Sequence, residues 1–348
     1  MTRTLLDSPL ARRFEIVHLD TADRRGVANI GRLDVGNVWR AGIHALRFLT
    51  LLASGRFDLV YLPISKNALG FLRDALFIGP AVATGTPFVV HFHGAGFDEF
   101  VRSAPLPVRA LVRLLLKRAA RGIVPGHALE GMVHELIAEP HIVVIPNGVA
   151  DPFGGTAVER TQGEAMHILF LGNLLPGKGY VELLDAAQAL LDEGIDIRVT
   201  FAGSMVDSLV HERALATLRY GVDRIRFRGA VDADGRAAVL READVLALPS
   251  EDEAHPLVIL EAMAAALPVV STRHGAIPET VTEDTGVLIE TRDAAALTEA
   301  LRALALDPGR RERLGAAGRR RYESRYTAEG WSESMGRMFD GVGRALAP

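Results

Sequence analysis

"SEDEAHPLVILEAMAAALPVVST", residues 250–272, runs from a loop through a helix into a strand. Pro256 suits the first position of a helix, where its missing N–H is no loss. Leu257 to Ala266 follows as an apolar helical run, and Pro268-Val269-Val270 opens a strand. A buried helix returning at once to a buried strand is the repeating unit of a parallel sheet with helical crossovers. Two acids break the apolar pattern. Glu261 lies inside the helix, between Leu257, Val258 and Ala264, Ala265 on its own face. Glu253 precedes it in the loop. An unpartnered buried carboxylate costs on the order of several kcal/mol, so both acids need something to hold.

Outward from this stretch the same alternation continues. "HILFLG" (167–172), "DIRVTFAG" (196–203), "IRFRGAV" (225–231), "DVLALPS" (244–250), "PVVST" (268–272) and "GVLIE" (286–290) read as buried strands with helices between them. An aperiodic stretch rich in Gly, Thr and charge, 150–165, reads as a linker. Before it, "FEIVHLD" (14–20), "DLVYLPI" (58–64), "PFVVHFH" (87–93), "GIVPG" (122–126) and "HIVVIPN" (141–147) read as strands, with helices near 36–54, 68–83, 105–121 and 127–138. The chain is thus α/β, two doubly wound domains: 1–149, the linker 150–165, 166–326, and a last helix 327–348. Such folds bind ligands at the carboxyl ends of their strands. The opening is irregular, because "TRTLLDSPLA" (2–11) reads as a helix leading into the strand at 14–20. Either the domain begins on a helix, or its first strand lies upstream of Met1.

The 348 residues exceed one typical core, 49% are apolar and 24% charged, and cysteine is absent. Disulfides and thiolate chemistry are excluded, and the composition fits a cytoplasmic protein. Residues 1–150 carry 17 basic and 12 acidic residues, and 151–348 carry 22 and 31, which supports two domains with different partners. Only three of the 39 cations are lysines, Lys66, Lys117 and Lys178. Arg is the default here, so each Lys marks a position where a compact ammonium is a candidate feature.

Lys178 stands in "LGNLLPGKGYVELL", where Gly172 ends a strand and Gly177-Lys178-Gly179 opens a helix. Free N–H groups at a helix start, with a lysine beside them, suit a phosphate. A plain structural turn with a surface lysine is the other reading. The helix start at Leu257 and Val258 offers a second anion site. Glu253 is then placed to hold the hydroxyls of one group and Glu261 a diol beyond it, as a sugar, a diphosphate and a ribose would require. Alternatively Glu261 bonds a backbone amide and Glu253 joins Glu251 and Asp252 in a solvated acidic turn.

"GNLLPGKG", "FRGAV", "ADVLALPS", "EAHPLVILEAMAAALPVVST", "GAIPETV" and "IPNGVADPF" occur in the order and spacing of retaining glycosyltransferases of family 4, which the chain resembles over nearly its whole length. The resemblance implies the GT-B fold, two Rossmann-like domains facing across a cleft, and a nucleotide-diphosphate sugar as donor. Glu253 then matches the glutamate that holds the donor sugar, in a segment with Ala254, His255 and Pro256. Glu261 matches the one that accepts from the ribose hydroxyls, and Lys178 the cation on the diphosphate. Arg228 and Gly229 fall in the loop that frames the base. Asn173 stands where the family usually has Arg, and Ala254 where it usually has Gly. A cation is therefore missing from the phosphate site, and a methyl narrows the sugar pocket.

In the first domain, His93 and Gly94 end the strand of "VVHFHGAGF", and the resemblance gives His93 the place of a histidine facing the reacting sugar. His91, two residues earlier on the same face, reads as a core or supporting histidine. "DAD" (232–234) has the look of a metal pair, but Asp232 or Asp234 can cap the helix that follows. No metal is expected. Arg109, Arg113, Lys117 and Arg121 repeat every four residues in 101–122, a stretch with six cations and no acid. They fit either an ordinary surface helix or a peripheral contact with an anionic membrane. No aromatic platform accompanies them, so nucleic acid is not an expected partner.

The expected function is a retaining, metal-independent hexosyltransferase acting on a glycan or lipid-linked acceptor, in cell-surface polysaccharide or glycolipid biosynthesis. A nucleotide-sugar epimerase and a non-catalytic nucleotide-sugar binder are the rival readings.

Overall fold

A computed structural model describes residues 2–21, 35–55, 57–155, 158, 165–206, 211–212 and 215–344. Two compact units emerge, Met1–Pro146 with Trp331–Pro348, and Asn147–Gly330.

The first unit holds four parallel strands, β1 (Val60–Ile64), β2 (Phe88–Phe92), β3 (Arg121–Val124) and β4 (Ile142–Val144), side by side in chain order. Every residue of β2 is buried, as an interior parallel strand requires. The expected strand at 14–20 is not one. It is extended without a ladder, and β1 has no neighbour on its other side among the described residues. Phe14 and Ile16 alternate inward onto a cluster of Leu5, Leu10, Val89, Ile123, Ile145, Trp331, Met335, Met338 and Val342, while Val17 is 50% exposed. Packing against the C-terminal helix Ala328–Arg344 thus satisfies its apolar side chains, and Phe14 meets the Phe339 ring edge-on at 5.7 Å.

Two expected helices also differ. The one placed at 127–138 is a short 3-10 turn, His127–Met132. The one placed at 105–121 spans Leu106–Leu116, so Arg121 is the first residue of β3 rather than the last of a helical stripe. Residues 2–11 form two short helices, Thr2–Leu6 and Leu10–Arg13, the second running on to Arg13.

In the second unit β5 (Met166–Leu171), β6 (Ile197–Ala202), β7 (Ile225–Gly229), β8 (Val245–Leu248), β9 (Val269–Thr272) and β10 (Gly286–Ile289) form one parallel sheet in the order β10-β9-β8-β5-β6-β7. β5, β8 and β9 are wholly buried, which is why they read as unbroken apolar runs. The start of the linker belongs to this unit. Asp151 accepts the N–H groups of Phe153 at 2.8 Å and Gly155 at 2.9 Å and pairs with Arg319 at 2.6 Å, and Phe153 enters the core. Residues 156, 157 and 159–164 of the linker lie outside the described residues.

Candidate functional site

β5 and β8 are neighbours, yet the chain leaves β5 toward β6 and β8 toward β9, on opposite sides. Their carboxyl ends therefore flank the point where the winding reverses, the place where open α/β sheets bind ligands. Both loops of interest emerge at this point.

After β5 the N–H of Gly172 donates to Ala202 O at 2.9 Å, and the carbonyl of Asn173 receives the N–H of Leu175 at 2.9 Å. A 3-10 turn, Pro176–Lys178, then leads through Gly179 into the helix Tyr180–Asp192. Gly179 has φ 75°, and a Cβ there would lie 2.2 Å from the carbonyl oxygen of Pro249. Only glycine lets this turn touch the end of β8. The carbonyl of Gly177 receives the N–H of Glu251 at 2.9 Å and the Ser250 hydroxyl at 3.1 Å, tying the two loops together. Lys178 completes the tie. Its Nζ donates to Glu253 Oε1 at 2.7 Å and to the Asp252 carbonyl at 3.2 Å.

The loop after β8 is held from below. A Cβ on Gly275 (φ 54°) would lie 2.1 Å from the Glu253 carbonyl oxygen, and the carbonyl of the buried Ala254 receives the Ala276 N–H at 2.7 Å. His255 is 5% exposed, and its Nδ1 accepts the N–H of Asn147 at 3.0 Å. Nε2 therefore carries the proton and donates to Thr280 Oγ1 at 2.9 Å, and Asn147 Nδ2 donates to the His255 carbonyl at 2.9 Å. Burial lowers the His255 pKa to about 4, so the ring stays neutral. Pro256 caps the helix Leu257–Ala264 rather than occupying its first turn, and no side chain caps it. The N–H groups of Leu257 and Val258 stand at its open end.

Glu261 is one turn further on. Burial raises its pKa, and the guanidinium of Arg236, with Nη2 at 2.5 Å from Oε2, acts against that rise. The structure thus answers what the two acids hold within the protein: Glu253 has Lys178, and Glu261 has Arg236. Arg236 escapes a motif reading, because it stands 25 positions before Glu261, with helix, strand and loop between them. Arg228, placed by the sequence beside the base, lies on β7 and reaches Glu242 at 3.5 Å. Gly229 ends that strand at φ 75°. Asp232 caps the helix Ala233–Glu242 by accepting the Gly235 N–H at 2.8 Å, and Asp234 falls in its first turn. Among the described residues no group of three or more His, Asp or Glu side chains could hold a metal.

At the end of β2 in the first unit, His91 is fully buried and its Nδ1 is 2.7 Å from the Tyr61 hydroxyl. His93 follows the strand, its ring 4.0 Å from that of His91. Burial lowers both pKa values, that of His93 to about 4, so two neutral imidazoles stack there. Lys66, after β1, donates to the Ala95 carbonyl at 3.2 Å across Gly94. The basic stripe disperses. Arg109 donates to the carbonyls of Val101, Arg102 and Ala104, which close the helix Phe97–Ser103, and Arg113 pairs with Glu135 at 3.2 Å. Lys117 stays exposed at the helix end, and Arg121 donates to the Ala120 carbonyl at 2.6 Å.

Residues 156–321 match the family model of glycosyl transferases group 1, and residues 3–148 that of a glycosyl transferase 4-like domain. The chain is 33% identical over 204 residues to D-inositol 3-phosphate glycosyltransferase of Corynebacterium efficiens, covering 54% of this chain and 48% of that protein. It is 36% identical over 189 residues to phosphatidyl-myo-inositol mannosyltransferase of Mycobacterium leprae, covering 52% and 50%. The chain thus spans about half the length of the curated relatives it matches. Its fold is that of sucrose-phosphate synthase from Thermosynechococcus elongatus, with a TM-score of 0.72 at 20% identity over 90% of this chain and 81% of that one. With a matched region in each unit and the two-glutamate segment at the switch point of the second sheet, the chain belongs to the group 1 glycosyl transferases of family 4 and has the GT-B fold.

Proposed function

We propose that the protein transfers a sugar from a nucleoside-diphosphate sugar to an acceptor hydroxyl, with retention at the anomeric carbon. The observation that carries this reading is the Lys178–Glu253 pair, poised at 2.7 Å beside the open helix start at Leu257 and Val258. A diphosphate arriving there gains Lys178 and two N–H groups, and Glu253 is released to the sugar hydroxyls. Glu261 takes the ribose diol. Asn173 leaves the site one cation poorer, so Lys178 and the helix starts carry the neutralisation.

The step is a front-face displacement. The acceptor oxygen bonds to the anomeric carbon on the face from which the diphosphate leaves, and the bond from that carbon to the phosphate oxygen breaks. The acceptor's proton passes to the departing phosphate oxygen. Lys178 stabilises the charge that grows on that oxygen, and no divalent cation is needed. His93, neutral by burial, supplies a hydrogen bond to the reacting sugar without adding charge, with Gly94 beside it.

The acceptor is a glycan or a lipid-linked polyol. The relatives' names support this, since they specify inositol phosphate and phosphatidylinositol. A surface of the first unit supports a peripheral contact with an anionic membrane. The helices Val35–Ala53, Ala68–Thr84 and Leu106–Leu116 expose Trp39 (71%), Leu46 (64%), Leu72 (42%), Leu106 (74%) and Leu114 (60%). The middle helix packs on both others, and the one acid among the three, Asp74, is buried. Apolar side chains among arginines, on three helices that themselves expose no carboxylate, suit anionic headgroups, with Glu135 at the edge paired to Arg113. Among the described residues no helix is long and apolar enough to cross a membrane.

Incubation with labelled UDP- and GDP-sugars and inositol-phosphate or lipid acceptors tests the reading. Transfer with an unchanged anomeric configuration supports it. An isomerised donor would make the protein an epimerase, and binding without turnover a non-catalytic binder.

A further inference from the structure

Glu261 is held by an arginine that belongs to no part of the two-glutamate pattern. Arg236 leaves the first turn of the helix Ala233–Glu242, and Asp232 fixes that turn. Its Oδ1 accepts the Gly235 N–H at 2.8 Å, and its carbonyl accepts the Arg236 N–H at 2.9 Å. The guanidinium then spans to the neighbouring helix and meets Glu261 through one contact, Nη2 to Oε2 at 2.5 Å. The carboxylate is 19% exposed and the arginine 37%, so the pair lies at the rim with Arg236 outward. Among the described residues Oε1 has no hydrogen-bond partner. A carboxylate oxygen offers two lone pairs, so Oε1 alone has room for both hydroxyls of a diol.

We propose that Arg236 is a positioning residue for the nucleoside half of the donor, holding Oε2 so that Glu261 presents Oε1 to the ribose hydroxyls. The proposal rests on the donor-site reading and extends it to a residue outside the family pattern. Two physical arguments carry it. Removing the cation leaves burial to raise the carboxyl pKa unopposed, and a carboxyl that has taken up a proton is a much weaker acceptor. A contact with one oxygen also restrains the rotation of the carboxylate plane, which an unpaired glutamate would leave free. Arg236 is the charged group facing Glu261; burial pushes the carboxyl pKa up and Arg236 pulls it down.

The test titrates UDP, GDP and inorganic pyrophosphate against wild type, Arg236→Gln, Arg236→Lys, Glu261→Gln and the Arg236→Gln/Glu261→Gln pair, by calorimetry between pH 5 and 8. Arg236→Gln should weaken the nucleoside diphosphate about tenfold at pH 7, between the limits for exposed and buried pairs. It should leave pyrophosphate affinity unchanged and move the acidic fall in nucleotide affinity to higher pH. Arg236→Lys should recover part of the loss, and Arg236→Gln should add little on the Glu261→Gln background. Turnover at saturating donor should hold within a few-fold while KM rises. Unmoved nucleotide affinity and pH profile in both Arg236 variants would overturn the proposal, as would an equal loss of pyrophosphate. If Arg236→Gln does not fold, Arg236→Lys carries the same readouts. A folded wild type that binds neither nucleotide overturns the donor-site reading itself, a different failure from binding that ignores Arg236.

Discussion

The two sheets end differently. At the carboxyl end of the second, two carboxylates already hold cations, Lys178 on Glu253 and Arg236 on Glu261. At the end of the first, burial keeps two stacked histidines uncharged. A charged but internally paired surface can exchange partners for a diphosphate without first exposing a bare ion to a low dielectric. A neutral surface can make hydrogen bonds without adding charge. The difference agrees with the proposed roles, an anionic leaving group at one end and a neutral hydroxyl at the other.

The largest effect is expected from Lys178→Ala. It removes the cation proposed to meet the leaving group and should lower turnover by roughly two to three orders of magnitude, about 3–4 kcal/mol. Rates within a few-fold of wild type would reduce the Lys178–Glu253 pair to a loop fastener. Chelation with EDTA should leave the wild-type rate unchanged; a loss restored by manganese would return Asp232 and Asp234 to consideration as ligands.

Next in size is the acid response of the neutral histidines. The folded pKa of His255 is about 4, below the ordinary 6.5, so the unfolded chain binds a proton that the fold refuses between those values. Stability is therefore full above about pH 6.5 and falls as pH drops through the window, by on the order of 3 kcal/mol near pH 4. His93 acts in the same direction. Thermal melts from pH 7 to 4 should show a shallower decline for His255→Gln than for wild type; parallel curves would mean that the ring is not buried neutral.

Glu261→Gln should weaken nucleotide binding by about 1–2 kcal/mol and change turnover at saturating donor little, because its contacts exist before and during reaction. Unchanged affinity in a folded variant would make the Arg236–Glu261 pair purely structural. The smallest effect concerns the outer face of the first unit. Sedimentation with anionic vesicles should fall with salt, and Trp39→Ser with Leu72→Ser should weaken it by about 1 kcal/mol per side chain without touching nucleotide affinity. Indifference of the wild type to such vesicles at low salt would point to a soluble acceptor.

The legible parts of this protein were those governed by neighbours in the chain. β5, β8 and β9 are buried on both faces, so their apolar runs announce them, and Gly179 and Pro256 mark helix starts through their own backbone restrictions. The spacing of Glu253 and Glu261 is a local property as well, a loop residue and a helix residue on one short segment. The residues 14–20 carry the same kind of apolar pattern and form no strand, because a strand also needs a ladder partner. The basic stripe differs from its spacing for a related reason: Arg121 opens β3, and Arg109, Arg113 and Arg121 bind a helix end, a glutamate and the chain before β3. Which cation meets which carboxylate was beyond any reading of the chain. Lys178 reaches Glu253 because β5 and β8 are adjacent, although the two are 75 positions apart in the chain. Arg236 reaches Glu261 because the Asp232 cap sets the helix turn from which it departs. The parallel sheets, the helix starts and the two carboxylates can be read along the chain, since burial and backbone freedom act within a few residues. Strand order decided their partners, because electrostatic contact depends on separation in space, and only the folded sheet brings those side chains together.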